Sequence, residues 1–245
     1  MRASHHAETF QRARTPAQKQ QRREAILRAT RTLALRNGVG NVTLAAIAEE
    51  VGLAKSNVLG YFGTLDAIYR QLVNEEWRDW NTTAASRFSD STAGPVDIAD
   101  ALSLSLAQQP LFCDLLAQAV RYVEHNFSAD DIHAQQLTVG PAANHLVTKI
   151  VDALPQLSEP VVIDLIIVIA ILAGGLWLRA NPSPALKSLY KANPAMPAAF
   201  IDFASTLQTL VRTLMEGIVA SDNRPQRLIH QKPVAETAPN QQPRR

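Results

Sequence analysis

The sequence predicts an all-α chain in two parts, a small N-terminal head and a larger helical body. Three observations carry this. Apolar residues recur at helical spacing from Ala25 onward, and no segment sustains the strict alternation of a strand. With 245 residues, 47% of them hydrophobic and only 10 glycines, the chain can bury a sizeable core.

Residues 1–14 are polar and basic, with Arg2, Arg12 and Arg14, and read as a disordered basic arm. Thr15-Pro16 then starts a helix, supplying a capping hydroxyl and a proline at the first helical position; Asn37-Gly38 stops it. Ile26, Leu27, Ala29, Leu33 and Ala34 share one face. From Arg12 to Arg36 the chain carries eight basic residues against the single acid Glu24, so the helix is expected to keep a basic side outward.

The stretch from Thr43 to Phe62 has two apolar faces separated by a glycine. Leu44, Ile47, Ala48 and Val51 form the first, at i, i+3, i+4 and i+7; Leu53, Val58 and Phe62 form the second. Gly52 between them can take the left-handed conformation that ends one helix and sets the next at a steep angle. This is the pattern of a helix-turn-helix at residues 43–62, within a head spanning residues 15–80. An antiparallel hairpin inside any all-α domain also fits the spacing. The outward residues of the second helix, Lys55, Ser56, Asn57 and Tyr61, all carry donors suited to phosphates and base edges.

A fourth helix is expected from Thr64 to about Phe88, ending at the segment Ser89 to Pro95. The body, residues 81–220, then shows helical periodicity over Val96 to Gln108 and Leu111 to Phe127. It continues from Asp131 across a Gly140-Pro141 break to Leu154, then over Glu159 to Arg179 and Pro197 to Val219. Residues 221–245, rich in Gln, Pro and Arg, read as a disordered tail. The run Val161 to Leu178 is apolar enough to raise a membrane reading. Its 18 residues are at the lower limit, and Asp164 would be costly in lipid, so a helix covered by core and by a second subunit is preferred.

Charge is divided along the chain. Residues 1–80 hold 12 basic and 8 acidic side chains, residues 81–223 hold 7 and 13, and residues 224–245 hold 5 and 1. A basic head suits a polyanion and an acidic body would be held away from it. The single Cys113 lies among Leu111, Phe112, Leu115 and Leu116 and reads as a small buried apolar group, in keeping with a cytoplasmic protein. The N-terminus lacks the apolar core of a secretory signal.

The residues just named also carry a resemblance. Ala25-Ile26-Leu27, Gly38, Thr43, Ile47-Ala48, Val51-Gly52-Leu53, Lys55, Val58, Tyr61-Phe62 and Asp66-Ala67-Ile68 together resemble the DNA-binding domain of the tetracycline-repressor (TetR/AcrR) family of bacterial transcription regulators. The resemblance covers residues 17 to 72. It implies that Thr43 anchors the second helix on a phosphate, that Lys55, Ser56 and Asn57 face the major groove, and that Tyr61 holds the DNA backbone. Leu59 and Gly60 depart from the family's usual tyrosine and following large or polar residue, Leu65 from a phosphate-touching lysine, and Ala54 from a capping serine.

The resemblance further implies a homodimer formed by the last two helices, here residues 159–179 and 197–219, with Gly174-Gly175 allowing close approach. It also implies an inverted-repeat operator in double-stranded DNA and a small-molecule effector that biases the fourth helix. An apolar or amphiphilic effector is expected, lined by Leu116, Tyr122, Ile167 and Trp177, with Tyr122, His125 or Asp164 as a polar contact. No cofactor and no metal site are expected, because the histidines lack ligand spacing, and the sequence contains no phosphate loop, GxSxG or HExxH. A repressor is the favoured reading. An activator, or a protein coating DNA without sequence preference, are the alternatives, and an enzyme is disfavoured.

Overall fold

The computed structural model describes residues 15–88, 92–123, 129–193, 200–221 and 227–229; for 119–123 and 129–132 it describes the backbone alone. The basic arm expected at residues 1–14, and most of the tail, lie outside these residues. All the regular structure described is helical: α1 (Pro16–Asn37), a 3-10 turn (Val39–Asn41), α2 (Leu44–Glu50), α3 (Lys55–Phe62), α4 (Leu65–Ala85), α5 (Pro95–Ala107), α6 (Pro110–Val123), α7 (Ala129–Ala153), α8 (Glu159–Ala180), α9 (Pro184–Ala192) and α10 (Phe203–Ala220).

Local chemistry sets the ends of the head helices. Thr15 and Gln18 cap α1 reciprocally, each side chain accepting from the other's backbone N–H at 3.2 Å. Thr43 and Thr64 cap α2 and α4, accepting from the N–H groups of Ala46 and Ala67. Gly38, Gly52 and Gly63 have φ of 84°, 64° and 74°, so three chain reversals in the head sit where a Cβ is disfavoured.

The head core joins Ile26, Leu33, Val39, Ile47, Val58, Ile68 and Leu72 to Leu111 and Leu115 of α6. The body thus lends two leucines to the head, each contributing about 1.5–3 kcal/mol when fully buried. The same contact is made in polar terms at Val39. Its N–H donates to Asp114 Oδ2 of α6 at 2.6 Å, and its carbonyl accepts from the Tyr69 hydroxyl of α4 at 2.9 Å. Burial pushes the Asp114 carboxyl above its ordinary value, while the Val39 N–H pulls it down.

The body core is built from α4, α5, α6, α7, α8 and α10 around Trp80, Leu102, Phe112, Ile150, Leu165 and Val211. Trp80 donates through Nε1 to Ser105 Oγ at 2.9 Å. Lys149 of α7 donates to the carbonyls of Ala85 and Phe88, satisfying acceptors at the C-terminal end of α4. Asp100 and Gln208 tie α5 to α10, with Arg212 adding a two-pronged ion pair to Asp100.

Several sequence expectations are corrected here. Arg22, Arg23 and Arg31 do not belong to an outward basic side: Arg22 is buried, and Arg31 pairs with Glu75 and Glu76 of α4. Gly140-Pro141 does not break α7. The carbonyl that Pro141 leaves without an N–H belongs to Leu137, which is 67% exposed, so the gap falls toward water. The last helix begins at Phe203 and not Pro197, because the Asp202 side chain caps the N–H of Ser205. The short α9 was not anticipated; none of its residues is buried.

Two further corrections concern α8. Gly174 serves a contact within the chain, since a Cβ there would lie 2.9 Å from the carbonyl carbon of Leu116 and 3.0 Å from the N of Ala117. Asp164 is buried, and it binds residues of the expected disordered tail. Arg227 meets it through two hydrogen bonds, and the N–H groups of Leu228 and Ile229 donate to the same carboxylate. Helix α8 is long and apolar enough to cross a membrane, yet half of that apolar stretch is buried in the protein, as in the core helix of a globular body.

Candidate nucleic-acid interface and effector cavity

Helices α2 and α3 meet at the turn Val51 to Ala54, where the Leu53 N–H reaches back to the Ala48 carbonyl at 2.8 Å. Val58 is fully buried and fixes the rotation of α3. That rotation leaves Lys55, Ser56 and Asn57 exposed together on the first turn of the helix. Ala54 at the cap makes no side-chain bond, so the N–H groups of Lys55 and Ser56 lie at an uncapped helix start, where an anion is favoured.

Thr43 is exposed, and its hydroxyl oxygen accepts the Ala46 N–H at 3.2 Å. Tyr61 is half-buried, and its carbonyl accepts from Arg23 of α1. Gly60 is exposed with nothing near it, leaving a bare spot one helical turn beyond Asn57. Thr43, Lys55, Ser56 and Asn57 therefore reach solvent, while Tyr61 packs partly against the head core.

A cavity of about 1080 Å³ lies where the head meets the body. Its volume stands at the upper end of the ~300–1,000 Å³ common for small-molecule sites. Its lining includes Tyr61 and Phe62 of α3, Val73 and Trp77 of α4, Leu116 of α6, and Ile167, Ile171 and Leu178 of α8. Arg23, Arg70, Glu75 and Arg78 bring charge to it, and Gln71, Asn74, Gln135 and Thr138 neutral polar groups.

Of the residues expected from sequence, Leu116 and Ile167 line this cavity. Trp177 does not. It packs edge-on against Phe203 at 5.2 Å, on the side of α8 that faces α10. The Tyr122 side chain and His125 lie outside the described residues. Asp164 is occupied by the tail. Sequence reasoning missed Trp77 and the head residues Arg23, Tyr61 and Phe62 as cavity lining; the i, i+4 spacing of Val73 and Trp77 on α4 was the available signal.

With this geometry in place, two family models account for most of the chain. The tetR family model of bacterial regulatory proteins matches residues 26–72, and the tetracyclin repressor-like C-terminal domain matches residues 74–222. The chain belongs to the TetR family. It is a DNA-binding transcriptional regulator with a helix-turn-helix head. Among solved structures it is similar to a tetR family transcription regulator from Shewanella sp. PV-4, with 16% identity, a TM-score of 0.40, and coverage of 79% of this chain and 95% of that one. No curated protein matches it.

Cys113 lies in the body core. Its thiol is fully buried and pushed up to about 12 by burial and by Asp114, and it donates to the Leu106 carbonyl. Among the described residues no cluster of His, Cys, Asp and Glu has the arrangement of a metal site.

Proposed function

We propose that this TetR family regulator is a cytoplasmic repressor that binds an inverted-repeat operator as a homodimer and is released by a small-molecule effector. Thr43, Lys55, Ser56, Asn57 and Tyr61 form its DNA-binding surface, with Lys55 and the first turn of α3 entering the major groove. The contiguity of the cavity carries the reading: the end of the recognition helix, Tyr61 and Phe62, and the body residues Ile167 and Leu178 line one space. A molecule bound there contacts both parts and favours one spacing of head and body over another.

A dimer through α8 and α10 is supported by exposed apolar side chains on both helices that stand outside the cavity lining, Ile163 at 42% and Leu210 at 39%. Apolar groups left in water on both helices suit a self-complementary interface. Two heads related by a twofold axis would read two half-sites one helical turn apart.

Selection of bound fragments from a random duplex pool at physiological salt, followed by sequencing, tests the reading. Recovery of an inverted repeat is the expected result. Recovery of no shared sequence, with equal affinity for all duplexes, would replace it by nonspecific coating. Transcription from a promoter carrying the recovered site then separates repressor from activator.

A further inference from the structure

We infer that the cavity takes an amphiphile bearing one carboxylate, and that Arg23 is the subsite for that carboxylate; this rests on the effector-released regulator proposed above. Arg23 is a half-buried cation whose partners among the described residues are all neutral. Its guanidinium donates to the Tyr61 carbonyl and, at 2.8 Å, to the side-chain oxygen of Gln71, and it lies 4.1 Å from the centroid of the Phe62 ring. No carboxylate neutralises it. Glu75, the acid among the lining residues, is already engaged by Arg31 at 2.6 Å and by the Gln71 amide at 3.1 Å.

Of the other cations in the lining, Arg78 is paired with Asp79 at 2.8 Å, which leaves Arg23 as the one whose guanidinium meets only neutral acceptors among the contacts described. A charge taken partly out of water interacts more strongly with an opposite charge, and Arg presents a fork matched to a carboxylate. The side chains that α6 and α8 bring to the lining, Leu116, Ile167, Ile171 and Leu178 among them, are all aliphatic, and none can satisfy a second charge. One anionic group and one apolar body are therefore what the lining complements.

The subsite also explains how binding reaches the DNA surface. The Tyr61 carbonyl belongs to the last turn of the recognition helix, and Arg23 links it to α1. A carboxylate is a stronger acceptor than a peptide carbonyl or an amide. Its binding draws the guanidinium away from Tyr61 and Gln71, and the end of α3 loses its tie to α1. By reciprocity, operator DNA weakens carboxylate binding by the same factor that the carboxylate weakens DNA binding.

Trp77 on the cavity wall provides a fluorescence readout for titration with decanoate, decan-1-ol and decyltrimethylammonium below their micelle concentrations. The expected result is that decanoate binds about tenfold or more tightly than the alcohol, the gain of one charge-assisted contact, and that the ammonium binds more weakly still. Arg23→Gln should bring decanoate to the affinity of decan-1-ol and leave the alcohol unchanged. Equal affinity for acid and alcohol, discrimination retained by R23Q, or no binding of any probe would overturn the subsite. Should R23Q fail to fold, the acid-to-alcohol ratio of the unaltered protein decides. A protein that selects operator DNA but responds only to the alcohol or the ammonium loses this subsite and keeps its proposed function. One that selects no DNA loses the function whichever probe it binds.

Discussion

Arg227 grips Asp164 across 63 residues of chain, donating from Nη2 at 2.7 Å and from Nε at 2.9 Å to the two oxygens of a carboxylate that has no exposed surface. The guanidinium holds the Asp164 carboxyl below the usual carboxylate range despite its burial, with the N–H groups of Ile229 and Leu228 assisting. Without this partner a charge would lie inside the apolar helix α8.

Arg227→Ala should therefore destabilise the protein by about 2 kcal/mol or more, since removing one partner strands a buried charge; Arg227 is itself part exposed, which places the loss below that of a fully buried pair. Asp164→Asn in the same background should recover part of it. Because the folded Asp164 is lowered, its contribution is complete above the unfolded value near ~3.9 and disappears as pH falls through the folded value. Thermal unfolding followed from pH 7 down to pH 2 should show this acid-sensitive component in the unaltered protein and lack it in R227A.

Gly174→Ala should cost about 1–3 kcal/mol, because its Cβ would meet the backbone of Leu116 and Ala117 and no side chain there can step aside. Gly175→Ala, where nothing lies within 4 Å, should be neutral or gain up to about 1 kcal/mol from helix propensity. Chemical denaturation of the two variants makes the comparison.

Gly52→Ala tests the turn of the helix-turn-helix. A Cβ there meets nothing, so its φ of 64° alone sets the loss, expected at about 1–2 kcal/mol. Denaturation midpoints measured beside Gly60→Ala, on the exposed face of α3, separate backbone strain from contact.

Lys55→Ala should weaken binding to all duplexes alike and reduce the slope of log K against log salt by about 1 if the ammonium meets a phosphate. A change in the selected sequence would place it on a base edge instead. Unchanged binding would remove it from the surface.

Cys113 should resist alkylation in the folded protein at pH 8, since its thiol is buried and pushed up to about 12. Reaction with an excess of a thiol reagent should follow unfolding. Fast labelling of the native protein would contradict the burial.

What the sequence made legible was local. Thr15, Thr43 and Gly52 announce their caps and turn within four residues, and the apolar spacing of Ile47, Ala48 and Val58 marks the faces that are buried. What it hid depends on distant partners. Arg31 looks like a surface charge until Glu75 and Glu76 arrive 44 and 45 residues later, and Asp164 looks like a defect in an apolar helix until Arg227 arrives. Trp177 was equally suited to cavity or core by composition, and only the position of Phe203 decides. Helix α9 buries nothing, so its nine residues carry no core-facing signature.

The backbone of Val39 has one further consequence. Its two polar groups are held by different helices, the N–H by Asp114 of α6 and the carbonyl by Tyr69 of α4, shortly before the chain enters α2. One residue, through the two peptide groups that flank its Cα, thus works as a gauge of the gap between α4 and α6. Spreading those helices would lengthen one bond or the other, and a lengthened hydrogen bond is a weaker one. The entry to the helix-turn-helix thereby registers the separation of two body helices.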